Sequence, residues 1–317
     1  MRPTDILTRA SRPPDQVLSY GERDGQVADL RLPVPDAADD SRAARRPPGP
    51  LVIFLHGGFW RAEFDRAHTG PLAEALASSG FAVCTPEYRR TGQPGGGWPG
   101  TFHDVAAAVD ALPRIAAAAA GGLADASRVV LAGHSAGGQL ALWAAGRSRL
   151  PAGSPWRSPR SPRSLAAGVV SLAGVCDLAA CFRLNLGGGA AGDLMGGGPE
   201  SFPDRYVSAD PMRLLPTGIT ARLVHGTADD RVPAGQSTAY AARARDAGDD
   251  VTCDLLSGCG HFEVIDPLSV AWPAVLAAFR LAAGAPEGGA EGSGAEGFGP
   301  APQAASDGQQ DRLGMPP

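Results

Sequence analysis

Apolar residues fall into two patterns along this chain: short unbroken runs, and longer stretches in which they recur every three or four positions. The runs "LVIFL", "FAVCT" and "RVVLA", with later ones over 167–172, 221–224 and 252–256, predict strands over 51–55, 81–85, 128–132 and those three segments. Two earlier and more polar runs predict strands over 17–20 and 27–32, joined by a short glycine-bearing turn, and therefore an antiparallel hairpin at a sheet edge. The three-to-four spacing predicts helices over 69–78, 102–119, 136–145, 234–247 and 268–282, with Pro113 expected to kink or end the second. Strands alternating with helices imply an α/β fold: a mostly parallel eight-stranded sheet covered by helices on both faces. Unbroken apolar runs fit that picture, because such strands are buried on both sides.

Three segments look unpacked. Residues 1–14 are polar and proline-bearing, 35–50 mix both charges with proline, and the tail 284–317 is too poor in large apolar residues to offset its ordering entropy. One α/β domain is thus expected over 15–283, between an N-terminus and a tail expected to be disordered. The Ser-Pro-Arg repeats of 150–164 are expected to form an exposed loop. The stretch 176–216 mixes glycine with Leu186, Leu194, Met195, Phe202 and Tyr206. It reads equally as a small cap or lid and as a glycine-rich surface loop with a few apolar anchors.

Composition narrows the function. A net charge of -5 argues against a nucleic-acid partner. Lysine is absent and arginine supplies every basic side chain, which in a chain rich in Ala, Gly and Pro marks a compositional bias and not an arginine-specific site. Five cysteines without a CxxC pair favour neither a disulfide framework nor a zinc site. The N-terminus lacks the apolar core of a signal peptide and no run reaches transmembrane length, so a cytoplasmic protein without a membrane partner is expected. No metal-binding or nucleotide-binding signature occurs, and no cofactor is expected.

The candidate chemistry sits where strands end. "GHSAG" (133–137) follows a strand and opens a helix, the setting of a strained turn that exposes Ser135 as a nucleophile. In a chain with 43 glycines the pattern alone is weak; its strand–turn–helix context gives it weight. A serine hydroxyl needs a base, and His261, among small residues after the last strand, is the best placed of six histidines. His225 ends a strand, where it fits a bracing role better. "HGTADDRVP" offers two carboxylates to orient the base, Asp229 or its neighbour Asp230; Asp229 is favoured by its place in Asp-x-x-Val-Pro. The resulting order Ser…Asp…His differs from that of the two well-known serine protease folds. Two glycines after "LVIFL" let backbone approach a reacting carbonyl, so N–H groups of Gly58 or Phe59, with that of Ala136, are candidate oxyanion donors.

With "HGGFW", "EYR", "GHSAGGQL" and "HGTADDRVP" in this order across roughly 51–280, the chain resembles α/β-hydrolases of the esterase/lipase type. More narrowly it resembles the branch of kynurenine formamidases and small-ester carboxylesterases that carry His-Gly-Gly-x-Trp. The resemblance implies the α/β-hydrolase fold, a catalytic Ser135–Asp229–His261 set, and an oxyanion hole of Gly57, Gly58, Phe59 and Ala136. Gly138-Gln139 stands where formamidases often have Ala-His, which weakens that narrower assignment. Phe59, Trp60 and Trp98 are candidates for an aromatic pocket wall, with core packing the alternative for the tryptophans. Arg89 and Asp104 are expected to form a structural ion pair. The reading is a serine hydrolase of small carboxylic esters, with an arylformamidase acting on N-formyl-L-kynurenine as the alternative and a non-catalytic binding protein as a second. A small-molecule ester or N-formyl amide is the expected partner of a monomer or homodimer.

Overall fold

Side chains of the run 51–55 point alternately to two faces, and that alternation divides the core. Leu51, Ile53 and Leu55 belong to one buried cluster, Val52 and Phe54 to the other. The computed structural model describes residues 3–34, 47–158 and 160–284; residues 285–317 of the expected tail and 35–46 of the charged loop lie outside them. Among the described residues eight strands form one sheet, in the order β1-β2-β4-β3-β5-β6-β7-β8. These are β1 (Gln16–Ser19), β2 (Val27–Arg31), β3 (Gly49–Leu55), β4 (Ala82–Pro86), β5 (Ala124–His134), β6 (Gly168–Leu172), β7 (Ala221–Gly226) and β8 (Val251–Leu256). The edge hairpin β1–β2 and the β2–β4 pair are antiparallel, and every other pair is parallel. This is the α/β-hydrolase architecture.

Helices cover both faces. α2 (Gly100–Ala119), α3 (Ala136–Gly146) and α7 (Gly235–Asp246) pack on the Leu51 side, whereas α1 (Gly70–Ser78) and α8 (Trp272–Ala282) pack on the Val52 side. α2 buries Phe102, Val105, Val109, Leu112 and Ala116, a stripe spaced three and four apart. The helix does not end at Pro113, because this stripe continues past it; burying one more turn outweighs the lost hydrogen bond. α8 begins four residues later than the spacing suggests. Leu268 and Val270 are exposed there, and Pro273 fits the first helical turn.

Within two segments expected to be unpacked, particular residues are buried. Residues Pro3–Thr8 form a 3-10 helix whose Ile6 is 1% exposed within the Val52-side core. The chain beyond is tied to α1 and β2: Arg12 N–H donates to Glu74 (3.0 Å), and Arg31 donates to Ser11 Oγ and to the Pro13 carbonyl (both 3.1 Å). Within the Ser-Pro-Arg segment, Trp156 is buried against Trp98, Phe102 and Trp143, and Leu150 is buried as well. The remainder of that segment is largely exposed.

The stretch 176–216 folds into α4 (Leu178–Arg183), α5 (Ala190–Met195) and α6 (Pro203–Ala209). Leu178, Cys181, Leu194, Met195 and Tyr206 all join the Leu51-side core, so the apolar residues are anchors. All five cysteines are free thiols. Arg89 and Asp104 form the expected ion pair at 2.7 Å. Among the described residues no helix is long and apolar enough to cross a membrane.

Candidate active site

The carboxyl ends of β3, β5, β7 and β8 meet over one small cavity, as open α/β sheets arrange their sites. Ser135 stands between β5 and α3 with φ 56° and ψ -119°, a backbone conformation rarely held by a residue with a side chain. Its N–H donates to the Leu172 carbonyl (2.9 Å), and its own carbonyl accepts from Val175 (3.1 Å). The flanking glycines make the turn sterically feasible. A Cβ on Gly133 would sit 2.1 Å from the Gly137 carbonyl oxygen, and one on Gly137 would sit 2.0 Å from that of Leu55.

The turn after β3 comes equally close. A Cβ on Gly57 would lie 3.0 Å from His134 Nδ1 and 3.1 Å from Ser135 Cβ, so this backbone rests against the serine. Gly58, Phe59 and Trp60 then have three consecutive positive φ values, 103°, 50° and 57°. Such strain persists only where neighbours over-determine it. Here Arg61 N–H donates to the Gly58 carbonyl (3.0 Å), Thr91 N–H to the Trp60 carbonyl (2.8 Å), and the Trp60 indole to Gln139 Oε1 (3.1 Å). Below the turn, His56 stacks on Tyr88 (4.3 Å between ring centres) and faces Glu87 Oε1 at 3.1 Å. Burial pushes the Glu87 carboxyl up, but His56, Arg90 and the Arg66 N–H outweigh it and hold the group at about 2. Gly58 and Phe59 border the same cavity as Ser135, and Ala136 follows it in the first turn of α3, so all three are held on a fixed frame beside it.

His261 follows β8, with Nδ1 2.7 Å from Asp229 Oδ2. The Asp229 side chain is closed off from solvent. Burial raises its pKa, but hydrogen bonds from His225, His261 and the Val232 N–H prevail and keep it well below the usual carboxylate range. The ionised carboxylate therefore accepts a hydrogen bond from Nδ1–H, which leaves Nε2 as the ring nitrogen without a proton in that tautomer. Asp230 is exposed and faces Arg231 instead. Asp229 is selected by the turn itself: its Oδ1 accepts from both Arg231 and Val232 N–H at 2.8 Å. His225 braces that turn, with Nε2 2.9 Å from the Val232 carbonyl and 3.2 Å from Asp229 Oδ2, and Nδ1 2.7 Å from Ser237 Oγ.

Ser135, His261, Gly58 and Phe59 border a cavity of about 200 Å³. A larger hollow of about 500 Å³, bordered by Ala166, Gly218 and Asp250, lies at the amino ends of β6–β8, far from these groups in the fold. Trp60 and Trp98 do not border the cavity, which corrects their reading as pocket wall. The positive φ at 60 turns that indole into the core, where it is fully buried, and Trp98 packs against Phe102 and Trp156. The insert 176–216 contributes no lining residue either, although Gly187 backs the Phe59 ring.

Residues 41–243 match the BD-FAE family, more than half of the chain, including the glycine turn, Ser135 and Asp229. The chain belongs to this family of α/β-hydrolase esterases. Comparison with curated proteins gave no match. Among solved structures, a truncated carbohydrate esterase from gut microbiota superposes with a TM-score of 0.67 at 20% identity, covering 86% of this chain and 99% of the other. The bifunctional GH43-CE protein of Bacteroides eggerthii gives 0.64 at 24%, over 84% of this chain and 38% of the other. The apo form of Thermogutta terrifontis esterase 2 gives 0.62 at 21%, over 85% and 94%. At such identities the likeness is one of fold.

Sequence reasoning missed three members of this BD-FAE site. His134 Nε2–H donates to the His261 carbonyl (2.9 Å) and so pins the loop of the proposed base; its ring is kept neutral by burial and by nearby His261. Gln139, noticed only as a departure from formamidases, accepts from Trp60 and donates to the Ala209 carbonyl (2.9 Å). His68 borders the cavity, and burial with nearby His56 lowers its pKa to about 4, so it is neutral at pH 7. None of the three stands in a motif of its own.

Proposed function

We propose that the chain is a serine carboxylesterase cleaving small esters through an acyl-enzyme. Ser135 Oγ attacks the ester carbonyl carbon while His261 Nε2 takes its proton, helped by Asp229 on the other ring nitrogen. The oxyanion receives the N–H groups of Ala136 and of Gly58 or Phe59. The tetrahedral intermediate collapses, the C–O bond to the alcohol breaks, and His261 protonates the leaving oxygen. Water then repeats the sequence on the acyl-enzyme, giving up a proton to His261, and releases the acid with Ser135 restored.

One observation carries the reading: a histidine oriented by a solvent-excluded carboxylate at 2.7 Å shares a cavity with a serine on a strained strand–helix turn. Membership of an esterase family supports an ester as substrate. The test compares p-nitrophenyl acetate, butyrate and octanoate with N-formyl-L-kynurenine, using wild type and Ser135→Ala. Ester hydrolysis should fall by at least about 10⁴-fold in the variant. Equal activity of variant and wild type would overturn the mechanism, and faster cleavage of the formamide than of any ester would make the protein an arylformamidase.

A further inference from the structure

The 3-10 helix Pro3–Thr8 enters the cavity of the site just described. Thr4 and Leu7 border it together with Phe59, Phe64, Phe262 and Ser135. Leu7 also packs against the Val52-side core next to fully buried Ile6. Arg9 pairs with Asp266, its second nitrogen 2.8 Å from Oδ2, and Asp266 lies five residues beyond His261. The strap is therefore fastened to the same loop that carries the proposed base. Further on it is fixed to α1 by the Arg12–Glu74 contact.

A second hollow, of about 260 Å³, also touches His261 and is bordered by Asp230, Arg231, Gly258 and Glu263. Thr4 borders both spaces, whereas Leu7 borders only the first. An alcohol that takes its proton from His261 leaves past that imidazole, toward this second hollow with its charged rim residues Asp230, Arg231 and Glu263. The apolar cavity holding Ser135 and the oxyanion donors then receives the acyl group. An engineered apolar cavity of about 150 Å³ takes benzene, so about 200 Å³ admits an acyl group only somewhat larger than one ring.

We propose that the N-terminal strap is the acyl-length gauge of this esterase, with Leu7 closing the end of the acyl cavity. The inference rests on the esterase reading and adds the residue that sets its substrate range. Its test measures kcat/KM on p-nitrophenyl acetate, butyrate and octanoate for wild type, Leu7→Ala and Leu7→Phe, with thermal melts to confirm folding and Ser135→Ala as the background. Leu7→Ala should raise the octanoate-to-acetate ratio by about tenfold, since a methylene or two in an apolar pocket discriminates by that order. Leu7→Phe should lower the butyrate-to-acetate ratio, so each variant checks the other in the opposite direction. Unchanged ratios in both, with an active wild type, would overturn the strap's role and leave the esterase reading intact. A wild type without Ser135-dependent hydrolysis would overturn the esterase reading and the inference with it.

Discussion

Glycine is dense in two regions of this chain, and it does different work in each. Around the proposed nucleophile, Gly57, Gly133 and Gly137 have atoms of other segments pressed against the place where a side chain would begin. In the insert, an added Cβ would meet side-chain atoms alone, as at Gly187 and Gly196, or nothing within 4 Å, as at Gly188, whose φ of 64° calls only for left-handed backbone. The first group lets three loops meet within atomic contact; the second lets short helices turn back on themselves. Local sequence is alike in both, so the distinction is carried by what the fold brings alongside.

Substitutions to alanine separate the two kinds. The largest effect is expected at Gly137→Ala, where a methyl 2.0 Å from the Leu55 oxygen must push β3 away from α3. Denaturant melts should show a loss of at least about 4 kcal/mol or no folded protein, and a variant near wild-type stability would break the comparison. Gly57→Ala should come next. Contacts of 3.0–3.1 Å to His134 and Ser135 require shifts of a few tenths of an ångström, which cost little stability but move the proposed oxyanion donors. We expect kcat on p-nitrophenyl acetate to drop by about 10²-fold with only a small change in melting temperature. Gly188→Ala should cost about 1–2 kcal/mol of stability, the strain of a side chain in the left-handed region, with catalysis intact.

A last effect, confined to a narrow pH window, concerns acid. The first region holds His68, neutral with a pKa near 4. Unfolding restores its ordinary value of 6.5, so between pH 4 and 6.5 the unfolded chain binds more protons. Its contribution is full above pH 6.5 and is lost as the pH falls toward 4. Melting temperature should decline across that window, and His68→Gln should flatten the decline. The same slope in the variant would place the sensitivity elsewhere.

The sheet was legible because its strands are unbroken apolar runs buried on two faces, a pattern that survives without knowledge of neighbours. Ser135 and His261 were legible for a related reason: each follows a strand end that the topology must bring to one edge. Other features depend on contacts distant in sequence. Nothing near Ile6 marks it as core, since a six-residue 3-10 helix has no amphipathic period to read and is held by α1 and Asp266. Trp60 beside two glycines resembles a pocket wall until the backbone sign at 58–60 is known. Asp229 and Asp230 differ only in which one caps the turn. The roles of His134 and Gln139 consist wholly of partners 60 to 130 residues away in the chain.

In the proposed mechanism Ser135 is made nucleophilic by His261 and Asp229. Folded wild type, Ser135→Ala and Asp229→Asn can be treated with a fluorophosphonate, and the adduct rate and position followed by peptide mass spectrometry. One adduct is expected, on Ser135, absent in the alanine variant and formed about 10⁴-fold more slowly in Asp229→Asn. Modification at another residue, or an unchanged rate in Asp229→Asn, would contradict it.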